Sequence, residues 1–229
     1  MALDLPYLAS LEAAIGALTP GGVVVCCTDP GAPEEGALFA AEAAAVARAV
    51  PKRRAEFAAG RAAAHGVMER LGLLPAPVPM GADRAPIWPE GVIGSISHCA
   101  GVCVAVAAQA ENRLCALGVD IEPDADLPEE VIATICLPGE RVWLAQHAAG
   151  QRGRAARLIF SAKEAAFKMQ YGLTGEMLGF DAFEIVPEMA TGRLQARFEV
   201  SCGRFARGAR LNGRFGRADG FVFCLMYEC

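Results

Sequence analysis

Lysine, histidine and aromatic residues are scarce in this sequence. Only three lysines occur in 229 residues, against eighteen arginines, and aromatic residues make up 7% of the chain. An excess of positive charge is also missing, since the formal net charge is −5. A protein with an acidic balance has no strong positive field to attract nucleic acid or anionic membranes. We therefore expect no nucleic-acid partner, and the positions that keep a lysine deserve a closer look.

Long apolar runs are missing as well. The apolar stretch at 102–108 is far shorter than the roughly 20 residues of a membrane-spanning helix. The first ten residues lack the basic start and apolar run of an export signal. With 54% hydrophobic and 21% charged residues, the chain can bury enough apolar surface to fold. We expect a folded cytoplasmic protein without a membrane span.

The nine cysteines do not form a disulfide or zinc pattern. Their number is odd, and most of them lie in apolar, strand-like runs. His98, Cys99 and Cys103 have no second Cys or His pair at the spacing of a zinc finger or ribbon. We expect reduced thiols that are mostly buried, and no zinc site.

The order of local patterns predicts two α+β halves. An Ala-rich helical stretch at 33–71, broken by Pro51, precedes a Pro- and Gly-rich loop at 75–91 and two strand-like runs. A strand at 114–123 is followed by helical patterns at 128–135, 138–149 and 154–169, and by hairpins, one with a turn at Asn212-Gly213. We predict subdomains at 1–112 and 113–229, each with a small, mainly antiparallel sheet and packed helices.

The sharpest local feature is the run Gly-Val-Asp-Ile-Glu-Pro at 118–123. Residues i and i+2 of a strand share a face, so the carboxylates of Asp120 and Glu122 can converge on one ion. Hard oxygen ligands of this kind suit Mg²⁺. The alternative is a strand end whose carboxylates simply reach water, and the spacing does not decide between the two.

The run Phe-Ser-Ala-Lys-Glu-Ala-Ala-Phe-Lys at 160–168 contains two of the three lysines. Glu164 and Lys168 are four residues apart, so they are neighbours on a helix, and Ser161 is a candidate N-cap. A plain surface ion pair is one interpretation. The other is a third metal-binding carboxylate beside a lysine for phosphate oxygens, at the edge of a core formed by the two phenylalanines.

The first half offers hydroxyls, one imidazole and arginines. Ser97 and His98 are adjacent on a strand and point to opposite faces, which excludes a simple nucleophile and base pair. His98 is therefore a phosphate donor or a core histidine. Arg54 and Arg61 are seven residues apart and share one helix face, which could hold a phosphate or be solvated.

The motifs GSISH, GVDIE and FSAKEAAFK, in this order and at these spacings, resemble the signature set of 4′-phosphopantetheinyl transferases. Upstream, KRRAEFAAGR and the loop GADRAPIWPEG resemble the branch associated with siderophore synthases, the enterobactin synthase component D type. The resemblance implies two α+β halves related as a pseudo-dimer, with coenzyme A and the active site at their junction. It also implies transfer of the phosphopantetheine arm of coenzyme A to a serine of an apo acyl or peptidyl carrier protein, with release of adenosine 3′,5′-bisphosphate.

Residue roles follow from the same resemblance. It implies that Asp120, Glu122 and Glu164 hold Mg²⁺, with Mn²⁺ as a possible substitute. Glu164, Lys168 and Asp120 would form the catalytic group, with Glu164 or a metal-bound water as the base that accepts the serine proton. The residues that would contact coenzyme A are Arg54, Arg61, Arg84, Pro86, Ser97, His98, Lys163 and Lys168.

Two alternative functions stay open at the level of sequence. The three carboxylates could serve a Mg²⁺-dependent phosphohydrolase acting on a nucleotide or coenzyme A, or the chain could bind coenzyme A or a carrier without catalysis. The segment 193–217, with seven arginines and one glutamate, could dock an acidic carrier or simply form the outward faces of strands. We expect a monomer, because the two halves lie in one chain.

Overall fold

A computed structural model describes residues 6–31, 38–99, 101–110 and 114–229. Contacts divide the chain into two compact units, 1–114 and 115–229. The boundary predicted after residue 112 falls within 111–113, which lie outside the described residues, as do 33–37 of the predicted first helical stretch. Each unit is α+β with an antiparallel sheet, so the predicted fold class is confirmed.

The first unit is a three-stranded antiparallel sheet with helices packed against it. Strand β3 is central and pairs with both β1 and β2. Its residues are almost all buried, since α3 packs against it and its outer neighbours cover both edges. The elements are α1 (Pro6–Gly16), β1 (Val24–Thr28), α2 (Ala40–Val46), α3 (Pro51–Arg70), β2 (Val92–Cys99) and β3 (Val102–Gln109).

Pro51 and Gly72 explain where helix α3 begins and ends. Pro51 takes the first helical position, where its missing N–H costs nothing. Gly72 follows the helix with a φ of 76°, the left-handed conformation that favours glycine. Small residues such as Ala63 and Ala64 line its buried face, which lets the helix approach the sheet closely.

The second unit has a five-stranded antiparallel sheet in the order β4-β8-β7-β6-β5. The long helix α6 packs against one face, with its main contacts on β4 and β8. The elements are β4 (Ala116–Pro123), α4 (Glu129–Ile135), α5 (Pro138–Ala145), α6 (Ala149–Thr174), a short 3₁₀ turn (Phe180–Ala182), β5 (Phe183–Glu188), β6 (Arg193–Phe198), β7 (Arg210–Ala218) and β8 (Phe221–Glu228).

The predicted turn at Asn212-Gly213 is wrong. Both residues lie inside β7, where Asn212 pairs with Tyr227 and Gly213 with Met226. The chain reverses instead at Asp219-Gly220, whose φ angles of 51° and 82° are those of a type I′ turn. Gly213 is needed for another reason, because an added Cβ would overlap the Met226 sulfur and the Leu225 carbonyl oxygen.

Ser161 is not an N-cap. Helix α6 begins twelve residues earlier, at Ala149, and extends to Thr174, so the predicted helix at 154–169 was too short at both ends. Ser161 is fully buried in the middle of this helix. Phe160 and Phe167 are partly buried and pack against the core of the unit, as the sequence pattern predicted.

Most of the cysteines are buried as free thiols, as expected. Seven of the nine are buried or half-buried, and Cys115 and Cys229 are exposed. Burial raises the pKa of the Cys26 and Cys136 thiols to about 11, which keeps them protonated and unreactive near neutral pH. No helix of the described residues is long and apolar enough to cross a membrane.

Gly118 sets the distance between β4 and α6. A Cβ atom at this position would overlap the carbonyl oxygen of Ala165 and lie 2.7 Å from the backbone nitrogen of Met169. Both obstacles are helix backbone, so neither can move aside as a flexible side chain would. The strand and the helix can therefore meet at this distance only with glycine here.

We predict that Gly118→Ala destabilises the protein and displaces α6 from β4. Overpacking of this kind costs about 1–3 kcal/mol, and a thermal melt monitored by circular dichroism should show a lower Tm. Gly172→Ala is the control, because a Cβ there meets nothing within 4 Å. This residue lies in α6, the helix that Gly118 contacts. An unchanged Tm for Gly118→Ala would contradict the prediction.

Candidate functional site

The candidate site of the second unit lies where α6 faces the end of β4. Helix α6 contributes Arg157, Glu164 and Lys168, which are seven and four residues apart and so form one stripe on the helix. Strand β4 contributes Asp120 and Glu122, which are two residues apart. The structure thus brings together the two acidic motifs predicted from the sequence.

Asp120 and Lys168 form an ion pair between the two elements. Asp120 is 4% exposed, and its Oδ1 lies 2.7 Å from Lys168 Nζ. The ammonium also donates a hydrogen bond of 3.2 Å to the carbonyl oxygen of Val119. Lys168 therefore compensates a buried carboxylate, which would otherwise be costly to keep ionised.

Glu122 is paired with Arg157, a residue that the sequence analysis missed. Arg157 Nη1 lies 3.1 Å from Glu122 Oε2, and the guanidinium also donates to the backbone oxygens of Ala125 and Asp126. The signal was present in the sequence, because Arg157 precedes Glu164 by seven residues and belongs to the same helix stripe.

Burial and the charge of Asp120 raise the pKa of both glutamates of this site. Burial, and next the charge of Asp120, raise the pKa of Glu122 to about 7 against the lowering effect of Arg157. Burial also raises the pKa of Glu164, with Asp120 adding to the rise while Lys168 opposes it. Holding three carboxylates close together in a poorly solvated place is unfavourable unless positive charge accompanies them.

The carboxylates of Asp120, Glu122 and Glu164 are ligands of the type that suits a hard divalent cation. Their side chains, however, are not arranged around one ion in this structure. Three carboxylates that repel one another supply the oxygen ligands such a cation prefers. Within the part of the chain that the structure describes, however, no three His, Cys, Asp or Glu side chains are arranged to hold an ion. Asp120 and Glu122 are turned to Lys168 and Arg157 instead.

An apolar recess of about 210 Å³ adjoins Glu164. Its walls come from α6 and from the segment that leads into β5. Met177 is 74% exposed at this recess, which is unusual for a large apolar side chain. The lining residues are Lys163, Glu164, Phe167, Met177, Leu178, Gly179, Phe180 and Phe183.

Lys163 does not present its ammonium to solvent or to a ligand, which corrects its assignment as a coenzyme A contact. The side chain is 1% exposed, and its Nζ lies 2.8 Å from Glu140 Oε2. The same nitrogen donates to the carbonyl oxygens of Ile135 and Phe180 at 2.7 and 2.8 Å. Its three donors are engaged in the core of the unit.

In the first unit, His98 contacts Arg53, an arginine that the sequence analysis did not single out. His98 is exposed at the end of β2, and its Nε2 lies 3.1 Å from Nη1 of Arg53. Arg54, which was predicted to contact coenzyme A together with Arg61, is exposed at the start of α3. The sequence analysis did not select Arg53, and only the tertiary structure shows that this arginine reaches the histidine.

Arg61 is buried and incompletely hydrogen-bonded. It is 6% exposed, and its guanidinium carbon lies 4.2 Å from the centre of the Phe57 ring. Among the described residues its Nε has no hydrogen-bond partner. Burial, together with the nearby charge of Arg53, lowers the pKa of Arg61 to about 10. A buried cation in this state is suited to an anionic ligand.

The other residues of the first unit that were predicted to contact coenzyme A are Arg84, Pro86 and Ser97. Ser97 is buried in β2, where it pairs with Val104. Pro86 is half-buried and forms an isolated bridge with Met80. Arg84 is exposed at the tip of that loop, with a φ of 70°, so its backbone is held in the left-handed region that few non-glycine residues adopt.

The arginine-rich segment 193–217 is not a uniform basic surface. Arg197 pairs with Glu184 and Glu199, and Arg217 pairs with Asp124 at 3.1 Å. Arg193 and Arg214 are opposite each other across β6 and β7. Part of the positive charge of this segment, which could dock a carrier or form the outward faces of strands, is therefore neutralised within the unit itself.

Comparisons with known proteins match both units to the same family. Residues 41–108 match the model described as the 4′-phosphopantetheinyl transferase N-terminal domain. Residues 116–208 match the model described as the 4′-phosphopantetheinyl transferase superfamily. The second match includes all the residues of the α6 stripe and both carboxylates of β4.

Relatives cover most of the chain. The 4′-phosphopantetheinyl transferase Svp of Streptomyces mobaraensis is 45% identical over 206 residues, which are 89% of this chain and 83% of that protein. The 4′-phosphopantetheinyl transferase PptT of Mycobacterium tuberculosis is 38% identical over a match that covers 79% of this chain and 82% of that protein. Enterobactin synthase component D of Salmonella typhi is 36% identical over a match that covers 61% of this chain and 57% of that protein. By these matches and by the motifs at its site, the chain belongs to the 4′-phosphopantetheinyl transferase superfamily.

Proposed function

We propose that the β4 and α6 carboxylates, with Lys168, transfer the 4′-phosphopantetheine arm of coenzyme A to a serine of an apo acyl or peptidyl carrier protein. Adenosine 3′,5′-bisphosphate is the second product. The observation that carries this proposal is that Glu122 and Glu164 lie close enough to Asp120 to interact electrostatically with it, beside the Lys168 ammonium. Phosphoryl transfer needs such a group, because catalysis depends mainly on positioning and on neutralising charge.

Asp120, Glu122 and Glu164 are the residues that we propose hold a divalent cation, Mg²⁺ or alternatively Mn²⁺. When bound, the cation supplies positive charge to the pyrophosphate of coenzyme A. The raised pKa of Glu122, about 7, supports this assignment, since the carboxylates disfavour being ionised together without a cation. Lys168 and Arg157 supply that positive charge in the present arrangement.

Glu164 is the proposed base for the serine hydroxyl. Burial raises the pKa of this carboxylate, and a raised pKa makes a carboxylate a better proton acceptor. Its position beside the recess leaves it half-buried, unlike Asp120, which is nearly covered. We propose that Glu164 takes the serine proton as the hydroxyl oxygen bonds to phosphorus and the bond to the departing phosphate oxygen breaks.

Lys168 is the proposed stabiliser of the leaving phosphate. Its ammonium is held at the carboxylate edge by Asp120, and its side chain is 25% exposed, so an anion can approach it. An ammonium at this position offsets the negative charge that accumulates on the departing oxygen. Asp120 thus acts both on the cation and on the orientation of Lys168.

In the first unit we propose that coenzyme A contacts the phosphate donors and loop residues predicted from the sequence. The pairing of His98 with Arg53 supports an anion at His98, because the guanidinium brings a positive charge to this strand end. The incomplete hydrogen bonding of Arg61 supports a second phosphate contact. The set predicted from the sequence is Arg54, Arg61, Arg84, Pro86, Ser97 and His98, and we add Arg53 because its Nη1 lies 3.1 Å from His98 Nε2.

The setting of the reaction is also a proposal. We propose a monomer that works in the cytoplasm, where coenzyme A and apo carrier proteins are both available. The relatives named enterobactin synthase component D support a carrier of a siderophore or another secondary-metabolite synthase as the substrate.

Transfer should be lost when the base is removed. We predict that Glu164→Gln lowers the rate at which an apo carrier gains phosphopantetheine by at least about 100-fold, measured by intact mass with coenzyme A and Mg²⁺. Asp120→Ala should lose activity for a different reason, because both the cation and Lys168 lose a partner. Glu184→Gln is the control, as a glutamate of similar burial that pairs with Arg197 away from the site.

The same assay separates the two alternative functions. A phosphohydrolase would release adenosine 3′,5′-bisphosphate from coenzyme A steadily in the absence of any carrier. A binding protein would bind coenzyme A and leave every carrier unmodified. Carrier modification at an undiminished rate by Glu164→Gln would show that another group is the base.

Binding of coenzyme A should depend on the arginine and histidine pair of the first unit. We predict that Arg53→Ala and His98→Ala each weaken coenzyme A binding about tenfold, the loss of one charge-assisted hydrogen bond, measured by isothermal titration calorimetry. Arg48→Ala is the control, since Arg48 is an exposed arginine near the end of α2. Equal losses for all three variants would indicate a general charge effect and contradict a specific contact.

A further inference from the structure

A fully buried carboxylate in the first unit, that of Glu42 in α2, joins three separate segments. Its Oε2 accepts a hydrogen bond of 2.8 Å from the backbone nitrogen of Phe39, the residue just before this helix. Its Oε1 lies 2.9 Å from Nε2 of His65 on α3. The same oxygen accepts a hydrogen bond of 2.7 Å from the backbone nitrogen of Val78. Because a buried carboxylate is costly without partners, these contacts hold the three segments together.

Val78 lies where the Pro- and Gly-rich loop begins to fold back on itself. The carbonyl oxygen of Pro79, the next residue, accepts a hydrogen bond of 2.9 Å from the backbone nitrogen of Ile87. Arg84 and Pro86, two of the proposed coenzyme A contacts, lie between these two residues. The buried carboxylate therefore holds one arm of the turn that presents both of them.

The other arm of the loop is held by packing. Trp88 lies against Gly94 of β2, where an added Cβ would be 2.5 Å from the Trp88 ring. Trp88 also packs against the apolar core between α3 and the sheet. The loop is thus held by an apolar contact at one end and by the hydrogen bond to Glu42 at the other.

The second unit contains the same device. Glu140 is also buried, and its number precedes that of Lys163 by 23, as the number of Glu42 precedes that of His65. Glu140 Oε1 accepts a hydrogen bond of 2.7 Å from the backbone nitrogen of Ile185, which lies after α6. In each unit, a buried glutamate at the third position of a short helix holds the segment that follows the long helix. In the first unit, that segment is the loop with the proposed coenzyme A contacts.

We propose that Glu42 is a positioning residue for coenzyme A, an inference that rests on the proposed function. Glu42 acts through the loop, because its hydrogen bond to Val78 keeps Arg84 and Pro86 in the position that binds coenzyme A. Without this bond the loop takes several positions, and the apparent affinity falls with the fraction of chains in the binding position. The carboxylates of the second unit are unaffected, so the rate at saturating coenzyme A is retained.

The test replaces Glu42 in the full chain and measures coenzyme A binding by calorimetry and carrier modification by intact mass. Glu42→Met removes both acceptor oxygens at similar volume. We expect a dissociation constant about tenfold higher, with kcat at saturating coenzyme A within about twofold of the wild type. Hydrogen exchange followed by mass spectrometry should become faster at 78–87. Glu12→Met is the control, because the partners of Glu12, Cys27 and Arg70, lie outside the loop. It should lower the Tm and leave the dissociation constant unchanged.

Two further variants separate position from charge and from misfolding. The charge of Glu42 reaches Arg61, where it opposes the effect of burial on the pKa, so a charge effect would change Glu42→Met and Glu42→Gln alike. The amide oxygen of glutamine still accepts from Val78, so positioning predicts that Glu42→Gln recovers most of the affinity. Val78→Pro removes the donor instead, and it should weaken binding as Glu42→Met does. It decides the question if Glu42→Met does not fold.

The inference is overturned by an unchanged dissociation constant for Glu42→Met and Val78→Pro, or by equal losses for Glu42→Met and Glu42→Gln. Arg84→Ala identifies which assignment has failed. Weaker binding by Arg84→Ala, with none of the Glu42 or Val78 variants affected, overturns positioning alone. Unchanged binding by Arg84→Ala shows that the loop is not a contact and removes the basis of the inference. A wild-type chain that binds coenzyme A but modifies no carrier contradicts the proposed transfer, and the dissociation constants still decide the role of Glu42.

Discussion

The close contact between β4 and α6 governs the second unit of this protein. At Gly118 the strand backbone approaches the backbone of the helix so closely that no side chain fits between them. Two residues further along β4, Asp120 reaches Lys168 on the same helix, and Glu122 reaches Arg157. A wider spacing would separate the carboxylates of the strand from Glu164, and with them the charges on which phosphoryl transfer depends.

This arrangement concentrates charge where solvation is poor. Asp120 is nearly buried, Glu122 and Glu164 are half-buried, and burial raises the pKa of both glutamates. The unit compensates with cations from α6, whose stripe of Arg157 and Lys168 faces the carboxylates. In the proposed reaction the same positive charges would also face the pyrophosphate of coenzyme A, so one helix face would serve both the stability of the unit and its proposed chemistry.

A second buried ion pair, between Lys163 and Glu140, connects several elements of the second unit. Lys163 and Glu140 are both almost completely buried. Their hydrogen bonds join the end of α4, the start of α5, α6, the 3₁₀ turn and β5. This network fixes Phe180, one wall of the recess beside Glu164. Adjacent residues of one motif thus have different tasks, since Lys163 points into the core while Glu164 points to the recess.

The amino-acid sequence determined the α+β class, the order of most elements and the acidic motifs, because periodicity, turn residues and motif spacing are local properties. It also indicated the family through three motifs in order and two upstream segments. Tertiary structure alone decided which candidate residues meet. It paired His98 with Arg53, buried Lys163 against Glu140, and moved the hairpin turn from Asn212-Gly213 to Asp219-Gly220. Neighbouring positions of one motif differ little in sequence signal, and packing against distant elements determines which side chains are buried and which are presented.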